Sequence, residues 1–236
     1  MRTWTYKPAR DLDLHGMDRL ASPLRERGLL GAIGQWLFRA LAHGYLAVYH
    51  RMRVRGRSNL PQTGPLVIVA NHSSHLDAVM ILASLPRSLR ADAHPVSAAD
   101  MFFRSLPRAG FASVFIDALA IRRGGVGRHQ LAQIRERLVD DSCCLIVFPE
   151  GTRSRSGEPG RFRHGVGAIV AETAVPVVPC FIDGAYGAMP PGARWPRPRT
   201  VGIRFGAPIR FDGELNRREG WKRIVETLEA AVLDLR

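Results

Sequence analysis

The sequence is poor in cysteine, and its three cysteines do not form a disulfide framework. Cys143 and Cys144 are adjacent in one apolar run, and Cys180 lies in another. Because adjacent residues of a strand point to opposite faces, a disulfide between the first two is disfavoured. We therefore expect buried free thiols and a protein of a reducing compartment.

Lysine is also nearly absent, since only Lys7 and Lys222 occur among 34 basic residues, against 21 acidic residues. Arginine therefore carries almost all of the formal net charge of +13. An excess of this size favours an anionic partner, such as nucleic acid, a phosphorylated substrate or an anionic membrane surface. Arginine suits phosphate because its guanidinium is a planar, two-pronged donor. A solvated surface that only reflects biased arginine usage is the alternative.

The N-terminus lacks the pattern of a secretory signal peptide. Residues 1–27 are polar and rich in charge, and we expect them to form a leader. The apolar stretch 29–48 follows, and as a helix it is about 30 Å long, enough to cross a bilayer. Its composition alone therefore leaves open whether it spans a membrane or lies on one.

A polar stripe interrupts this helix, because Gln35, Arg39 and His43 recur at every fourth position. An arginine near the centre of a spanning helix costs about 2.5–3.5 kcal/mol. Arginines also flank both ends, which removes the charge asymmetry that orients a single span. We therefore predict a helix in the membrane interface, within a segment 28–58. An amphipathic helix packed on its own domain is the alternative.

From residue 66 onward, apolar runs of strand length alternate with segments of helical periodicity. Strands are expected within residues 66–70, 94–98, 113–121, 143–148, 176–182 and 201–211. Helices are expected near residues 74–83, 127–141, 165–174 and 221–235. Such alternation predicts a single α/β domain, residues 59–236, with a mixed, largely parallel central sheet flanked by helices.

Two histidines and an aspartate directly follow the first of these strands, in the stretch VANHSSHLDAVM. Ser74 and Asp77 resemble a capping box at a helix start, which leaves the histidines and Asn71 unexplained. A metal site of His72, His75 and Asp77 is a second interpretation, although no further ligand pair stands nearby. The third interpretation is an acid–base pair, in which Asp77 orients the imidazole of His72 and His72 takes a proton from a hydroxyl.

A glycine-containing basic turn, FPEGTRSRSG, follows a later strand. Gly151 allows the backbone to approach a ligand closely, and Thr152 and Arg153 offer donors to a phosphate. Three more arginines add positive charge, namely Arg155, Arg161 and Arg163. A further pair, Arg122 and Arg123, follows another apolar run in AIRRGG. An ordinary basic surface turn is the alternative interpretation.

The stretches NHSSHLD, FPEGTRS and VPVVP, in this order, resemble the motifs of the glycerolipid acyltransferase family, which includes the 1-acylglycerol-3-phosphate acyltransferases. The resemblance covers roughly residues 66–211. It implies that His72 and Asp77 are the catalytic pair, whereas His75 is a variable position. The residues that it implies for the acceptor phosphate are Glu150, Gly151, Thr152 and Arg153.

The family's arginine motif matches less well, because Ala118 stands where glycine is common. Either Arg122 or Arg123 can match the phosphate-binding arginine, and the spacing favours Arg123. The VPVVP stretch, with Pro176 and Pro179, implies the acyl-chain side of the site.

The resemblance implies acyl transfer from acyl-CoA or acyl carrier protein to a lysophospholipid hydroxyl, by default 1-acylglycerol-3-phosphate, which gives phosphatidic acid. It implies no metal and no cofactor besides the acyl thioester. Backbone N–H groups near Gly151 are expected to stabilise the oxyanion. Other acceptors, such as glycerol 3-phosphate, another lysophospholipid or a lyso-aminolipid, and a non-catalytic membrane-binding protein remain alternatives.

The expected location is an anionic membrane surface on its cytoplasmic face, which is the inner membrane in a bacterium. Nucleic acid is not expected as a partner, because the sequence has neither an aromatic-rich basic platform nor a zinc pattern.

Overall fold

A computed structural model describes residues 13, 15–16, 22, 28–98, 110, 115–121 and 128–236. The strands in these ranges are β1 (Arg53–Arg55), β2 (Leu66–Ala70), β3 (Ala93–Ala98), β4 (Leu119–Ile121), β5 (Cys144–Val147), β6 (Val177–Asp183) and β7 (Gly202–Phe205). They form one sheet in the order β1-β7-β6-β2-β5-β3-β4. Only β6 and β7 pair antiparallel among these strands. The predicted mixed, largely parallel sheet is confirmed.

Helices pack on both faces of this sheet. The described helices are α1 (Leu29–Val48), α2 (Asp77–Ser84), α3 (Arg87–Arg90), α4 (Arg128–Asp140), α5 (Gly165–Val170), α6 (Ala185–Ala188) and α7 (Arg218–Leu233), and a 3₁₀ turn covers Arg57–Asn59. The C-terminal amphipathic segment thus forms α7. Helix α2 begins at Asp77, three residues later than the predicted start at about residue 74.

Strand β2 lies at the centre of the molecule, and all five of its residues are buried. Successive side chains alternate between two core clusters, as the pleat of a strand requires. Leu66 and Ile68 pack in the cluster that includes α2 and the inner face of α1. Val67 and Val69 pack in the cluster formed with α4, α5 and α7. Burial of each such side chain contributes about 1.5–3 kcal/mol, so β2 is a rigid support for the residues that follow it.

Helix α1 turns its polar stripe toward the protein. Gln35 and Arg39 are buried. Arg39 donates to the carbonyl oxygen of Arg90, and His43 Nδ1 lies 3.2 Å from the carbonyl oxygen of Ala83. The predicted stripe therefore exists, and it satisfies main-chain acceptors of the α/β domain.

The outer side of α1 is apolar and exposed, the reverse of an ordinary surface helix. Its large exposed side chains are Leu29, Ile33, Trp36, Leu37, Leu41 and Val48. Trp36 is 68% exposed and Val48 is 81% exposed. Contiguous apolar surface of this kind marks a protein or membrane contact. Within the described ranges, no helix combines the length and the hydropathy needed to cross a bilayer.

The sheet begins earlier in the chain than the predicted domain boundary at residue 59. Strand β1 lies inside the segment 28–58 and pairs with β7, with Val54 opposite Ile203. Val54 packs on the core, whereas Arg53 and Arg55 are exposed on this edge strand. Charged side chains on an edge strand discourage further strand pairing. Most of the predicted leader, residues 1–27, lies outside the described residues.

Candidate active site

Parallel pairing of β2 with β5 brings the two predicted loops together. Val69 lies opposite Val147, so the residues that follow the two strands leave the sheet at the same edge. The backbone N–H of His72 donates to Glu150 Oε1 at 2.8 Å. In return, the N–H of Ser154 donates to the carbonyl oxygen of His72, also at 2.8 Å. The loop that carries His72 is therefore fixed to the loop that carries Glu150 and Arg153.

His72 and Asp77 form a hydrogen-bonded pair, with His72 Nδ1 2.8 Å from Asp77 Oδ2. The same carboxylate oxygen accepts the N–H groups of Ser73 at 2.7 Å and Ser74 at 2.8 Å. Asp77 is fully buried at the start of α2. One of the two hydrogen bonds of the predicted capping box is thus present, namely the bond from the N–H of Ser74 to Asp77. The bonds from Ser73 and Ser74 also hold the carboxylate toward the imidazole of His72.

The ring of His72 is stacked on Phe148. Their centroids lie 4.2 Å apart, with an angle of 20° between the ring planes. The side chain of His72 remains 13% exposed. With Nδ1 held by a carboxylate, Nε2 is the nitrogen left to accept a proton from a substrate. Phe148 ends the predicted strand 143–148 and opens the FPEGTRSRSG stretch, and nothing in the sequence signals that it stacks on a histidine.

Glu150 is buried, and both of its carboxylate oxygens bind main-chain donors. Oε1 accepts the N–H of His72, and Oε2 accepts the N–H of Gly160 at 3.0 Å. Burial raises the pKa of this carboxyl, although the two backbone hydrogen bonds act in the opposite direction. Each carboxylate oxygen thus has a main-chain partner, and Glu150 holds three loop segments together. Its predicted role at the acceptor phosphate stays a prediction.

The turn after Glu150 requires glycine at position 151. Gly151 has φ of 72°, in the left-handed region, and a Cβ there would lie 3.1 Å from Nε of Arg163. The N–H of Gly151 donates to the carbonyl oxygen of Phe148 at 3.1 Å, so this N–H is already engaged and is not an open oxyanion donor. Thr152 is exposed and Arg153 is half-buried.

His75 lies beside this turn, with part of its side chain exposed to solvent and part of its ring covered by protein. The protein packed around its ring, followed by the positive charges of Arg153 and His72, lowers the pKa of His75 to about 4. The imidazole is consequently neutral near pH 7. Among the described residues, no group of three His, Cys, Asp or Glu side chains could hold a metal ion, so His72, His75 and Asp77 do not converge as ligands.

Asn71 connects β2 to β6 at the edge where the site lies. Its side-chain NH₂ donates to the carbonyl oxygen of Ile182 at 3.0 Å, and its Oδ1 accepts the N–H of Ile182 at 2.7 Å. In the sequence, the only sign of this role is that Asn71 is a polar residue directly after an apolar strand. Asn71 fixes the position from which the His72 loop departs.

The remaining predicted site residues lie in or beside β6 or outside the described residues. Pro179 is buried within β6, opposite Val69, and Pro176 immediately precedes β6. Both prolines thus belong to the sheet, and their role on the acyl side stays a prediction. Arg122 and Arg123 follow the last residue of β4 and lie outside the described residues, so their role is likewise a prediction.

Comparison with known proteins agrees with this geometry. A family model described as Acyltransferase matches residues 51–183, a range that contains the His72 loop and the Glu150 loop. The chain belongs to the acyltransferase family. The resemblance predicted from the three sequence motifs is therefore confirmed.

Named acyltransferases are among the relatives. Over 148 residues the chain is 33% identical to the chloroplastic 1-acyl-sn-glycerol-3-phosphate acyltransferase BAT2 of Brassica napus, which covers 61% of this chain and 41% of that protein. Over 185 residues it is 29% identical to the 1-acyl-sn-glycerol-3-phosphate acyltransferase of Pseudomonas aeruginosa. This match covers 72% of this chain and 67% of that protein. The chain spans about two fifths of the length of the plant relatives that it matches.

The acyltransferase fold is also found in a solved structure. The 1-acyl-sn-glycerophosphate acyltransferase PlsC from Thermotoga maritima superposes with a TM-score of 0.65 at 24% identity, covering 86% of this chain and 78% of that one. At this identity the similarity establishes the fold alone.

The cysteines of this acyltransferase-family chain are free and buried. Burial raises the pKa of Cys143 to about 12 and raises the pKa of Cys144 and Cys180 still further. These thiols stay protonated near neutral pH and are unsuited to nucleophilic attack.

Proposed function

We propose that the protein transfers a fatty acyl group from an acyl thioester to the hydroxyl of a lysophospholipid, with 1-acylglycerol-3-phosphate as the first candidate acceptor and phosphatidic acid as its product. The observation that carries this proposal is the 2.8 Å contact between His72 Nδ1 and Asp77 Oδ2, held at the edge of the sheet beside the Arg153 turn. The relatives named above support the choice of acceptor.

The reaction needs no nucleophile from the enzyme. His72 Nε2 takes the proton of the acceptor hydroxyl, and the hydroxyl oxygen forms a bond to the thioester carbonyl carbon. The tetrahedral intermediate then breaks its C–S bond, and the leaving sulfur takes the proton from the imidazolium. Asp77 stabilises the imidazolium through the 2.8 Å contact with Nδ1. Free coenzyme A or free carrier-protein thiol and the acylated lipid are the products.

Arg153 is the proposed principal contact of the acceptor phosphate. It is half-buried in the turn that is fixed to the His72 loop, and its charge acts on the neighbouring His75. Arg163 lies against Gly151 in the same turn. Guanidinium groups bind phosphate through paired N–H donors, so these two arginines suit a phosphomonoester. Arg122 or Arg123, after β4, is proposed as a further contact, and Thr152 as a hydroxyl donor.

The membrane is the proposed place of action, on its cytoplasmic face. The exposed apolar side of α1 offers a surface that fits the headgroup region, and the net charge of +13 favours anionic lipid. The free, buried cysteines are compatible with the reducing cytoplasmic side. The proposed donor is either acyl-CoA or acyl carrier protein, with no metal and no additional cofactor.

The test is release of free thiol from acyl-CoA by membranes that contain the protein, with a panel of lysolipids and glycerol 3-phosphate as acceptors. We expect release that depends on a phosphate-bearing acceptor, falls by at least about 10³-fold in His72→Ala, and stays near wild type in His75→Ala. Folded His72→Ala that retains full activity would contradict the mechanism. Silence with every acceptor, and with acyl carrier protein as donor, would favour a non-catalytic membrane-binding role.

The phosphate role of Arg153 has a separate readout. In Arg153→Gln, KM for 1-acylglycerol-3-phosphate should rise by about tenfold or more, since one charge-assisted contact is lost. KM for the acyl donor should change little, because the donor is not held by this contact. An unchanged KM for the acceptor would remove Arg153 from the phosphate site.

A further inference from the structure

Residues 189–199, MPPGARWPRPR, form a surface loop between α6 and β7 that the proposed chemistry does not use. We call it the Trp195 loop. Trp195 is 80% exposed, an unusual state for the largest apolar side chain. The loop also presents three exposed arginines, namely Arg194, Arg197 and Arg199. From residue 184 to residue 211 the sequence contains no acidic residue, so nothing within this stretch neutralises the arginines.

One end of the Trp195 loop is attached to the His72 loop. The hydroxyl of Ser74 donates to the carbonyl oxygen of Met189 at 2.7 Å. Ser74 is fully buried, and its N–H binds Asp77 Oδ2, the same atom that holds His72. The start of the loop is therefore coupled through one residue to the catalytic pair.

The other end of the Trp195 loop is attached to the end of α1. The hydroxyl of Tyr49 donates to the carbonyl oxygen of Pro196 at 3.2 Å. His50 is fully buried, and its Nδ1 lies 3.3 Å from the carbonyl oxygen of Arg199. These contacts use main-chain oxygens of the loop and leave its arginine side chains and Trp195 directed away from the core.

The loop is continuous with the apolar side of α1. Tyr45 and Tyr49 stack on each other, with centroids 5.1 Å apart, and each is more than a third exposed. They lie between the exposed apolar residues of α1 and the Trp195 loop. The two elements thus form one surface, apolar along the helix and aromatic and cationic at the loop.

We propose that the Trp195 loop is a second membrane contact, in which Trp195 enters the headgroup region and Arg194, Arg197 and Arg199 bind the phosphates of anionic lipids. Trp favours the membrane–water interface, and each arginine near an anionic surface adds binding free energy. Because Ser74 binds Met189 at the start of the Trp195 loop, this contact sets the depth of the His72 loop relative to the lipid. The inference deepens the proposed function, since it rests on an acceptor that resides in the membrane.

A lipid surface suits these features better than an acidic protein partner does. Three arginines alone would serve either partner. The exposed indole of Trp195 and the continuity with the apolar face of α1 specify a surface that is apolar beneath and anionic above, which describes an anionic bilayer.

The first test compares two variants from which the same charge has been removed. The loop variant carries Arg194→Gln, Arg197→Gln and Arg199→Gln. The control, called the α7 variant, carries Arg210→Gln, Arg217→Gln and Arg218→Gln, which change exposed arginines at and before α7. Helix α7 packs on the face of the sheet opposite to α1 and the Trp195 loop. Co-sedimentation with phosphatidylglycerol–phosphatidylcholine vesicles should show roughly a hundredfold weaker partitioning for the loop variant. The α7 variant should stay within about threefold of wild type. Equal losses would mean that only net charge matters and would overturn the proposal.

The second test places Trp195 itself in the bilayer. Vesicles with brominated acyl chains should quench the fluorescence of the wild-type protein more than that of Trp195→Phe. Because Trp195 is 80% exposed, this substitution does not threaten the fold. Equal quenching of the two proteins would show that Trp195 stays outside the lipid.

A third measurement separates this inference from the enzymatic proposal. The loop variant should lose acyl transfer to a vesicle-embedded acceptor and keep transfer to a water-soluble, short-chain acceptor. If even the wild-type protein transfers no acyl group, the vesicle measurements still decide the role of the loop. Wild-type vesicle binding by the loop variant, combined with loss of transfer only from acyl carrier protein, would assign the loop to the donor and overturn the proposal.

Discussion

At the scale of single residues, Asp77 determines what His72 can do. Its buried carboxylate holds Nδ1 and is itself held by two backbone N–H groups, so the imidazole has one orientation and a ready counter-charge. We therefore expect the proposed acyl transfer to depend on the charge of Asp77 as well as on its hydrogen bond to His72.

Asp77→Asn tests the need for that charge. The amide keeps the size of the side chain but cannot stabilise an imidazolium, and it can select the wrong imidazole tautomer. We expect kcat to fall by about 10³–10⁴-fold with little change in KM, by analogy with other Asp–His pairs. Single-turnover acyl transfer, with circular dichroism as a check on folding, provides the measurement. A loss of less than tenfold would mean that Asp77 serves mainly to cap α2.

His75 gives a pH-dependent prediction at the same scale. Its pKa is about 4 in the folded protein, below the ordinary value of 6.5. Between these pH values the unfolded chain binds a proton that the native protein does not, so His75 makes the native state less stable as pH falls. Relative to His75→Gln, the wild type should lose free energy of unfolding from pH 6.5 to pH 4.

Urea unfolding of both proteins across this pH range measures the effect. Above about pH 7, the difference between their free energies of unfolding should no longer change with pH. Parallel curves from pH 4 to pH 7 would show that His75 titrates normally. Acyl transfer near pH 7.5 should be similar in the two proteins, because His75 is neutral there and is not part of the proposed catalytic pair.

At the scale of secondary-structure elements, α1 has two faces with separate roles. The inner face, through Arg39, satisfies main-chain oxygens of Arg90 and Ala93. The outer face carries exposed apolar side chains such as Ile33 and Leu41. A substitution on one face should therefore leave the role of the other face unchanged.

Arg39→Ala and Ile33→Ser form a matched pair for this prediction. The first removes charged donors from buried carbonyl groups and should lower the free energy of unfolding by about 2–3 kcal/mol. The second should change that free energy by less than about 0.5 kcal/mol and weaken binding to vesicles. Denaturant unfolding and vesicle sedimentation together measure both effects. A stable Arg39→Ala protein with weakened vesicle binding would reverse the assignment of the faces.

At the scale of the whole molecule, the net charge of +13 acts over distances set by salt. The Debye length is about 10 Å at 0.1 M salt and about 3 Å at 1 M. Binding to anionic vesicles should therefore weaken steeply as salt rises. A salt-resistant remainder should persist, because the exposed apolar face of α1 is the proposed lipid contact. Binding that salt abolishes entirely would leave no role for the apolar face.

Competition with DNA tests the other anionic partner that the composition suggests. Near physiological salt, duplex DNA in excess should not displace the protein from anionic vesicles, because DNA offers no apolar region for α1. Complete displacement at equimolar phosphate would favour a nucleic-acid binder instead.

Local sequence patterns were enough to predict the α/β class, the strand ends that carry the candidate site and the pairing of His72 with Asp77. These features follow from local periodicity and from short motifs within a few residues, where the chain geometry leaves few alternatives. The same local reasoning predicted the polar stripe of α1, because one helix turn relates its members. It left open which face of that helix meets the protein.

The long-range relationships are visible only in the folded protein. The role of Glu150 depends on donors from His72 and Gly160, and Asn71 binds a strand 111 positions away. Strand β1 became recognisable only through its pairing with β7, since a three-residue run has no periodicity of its own. The junction of the Trp195 loop with Tyr49 and His50 likewise joins segments that are distant in sequence. Such contacts depend on how the sheet brings distant segments together, and no local pattern of residues encodes them.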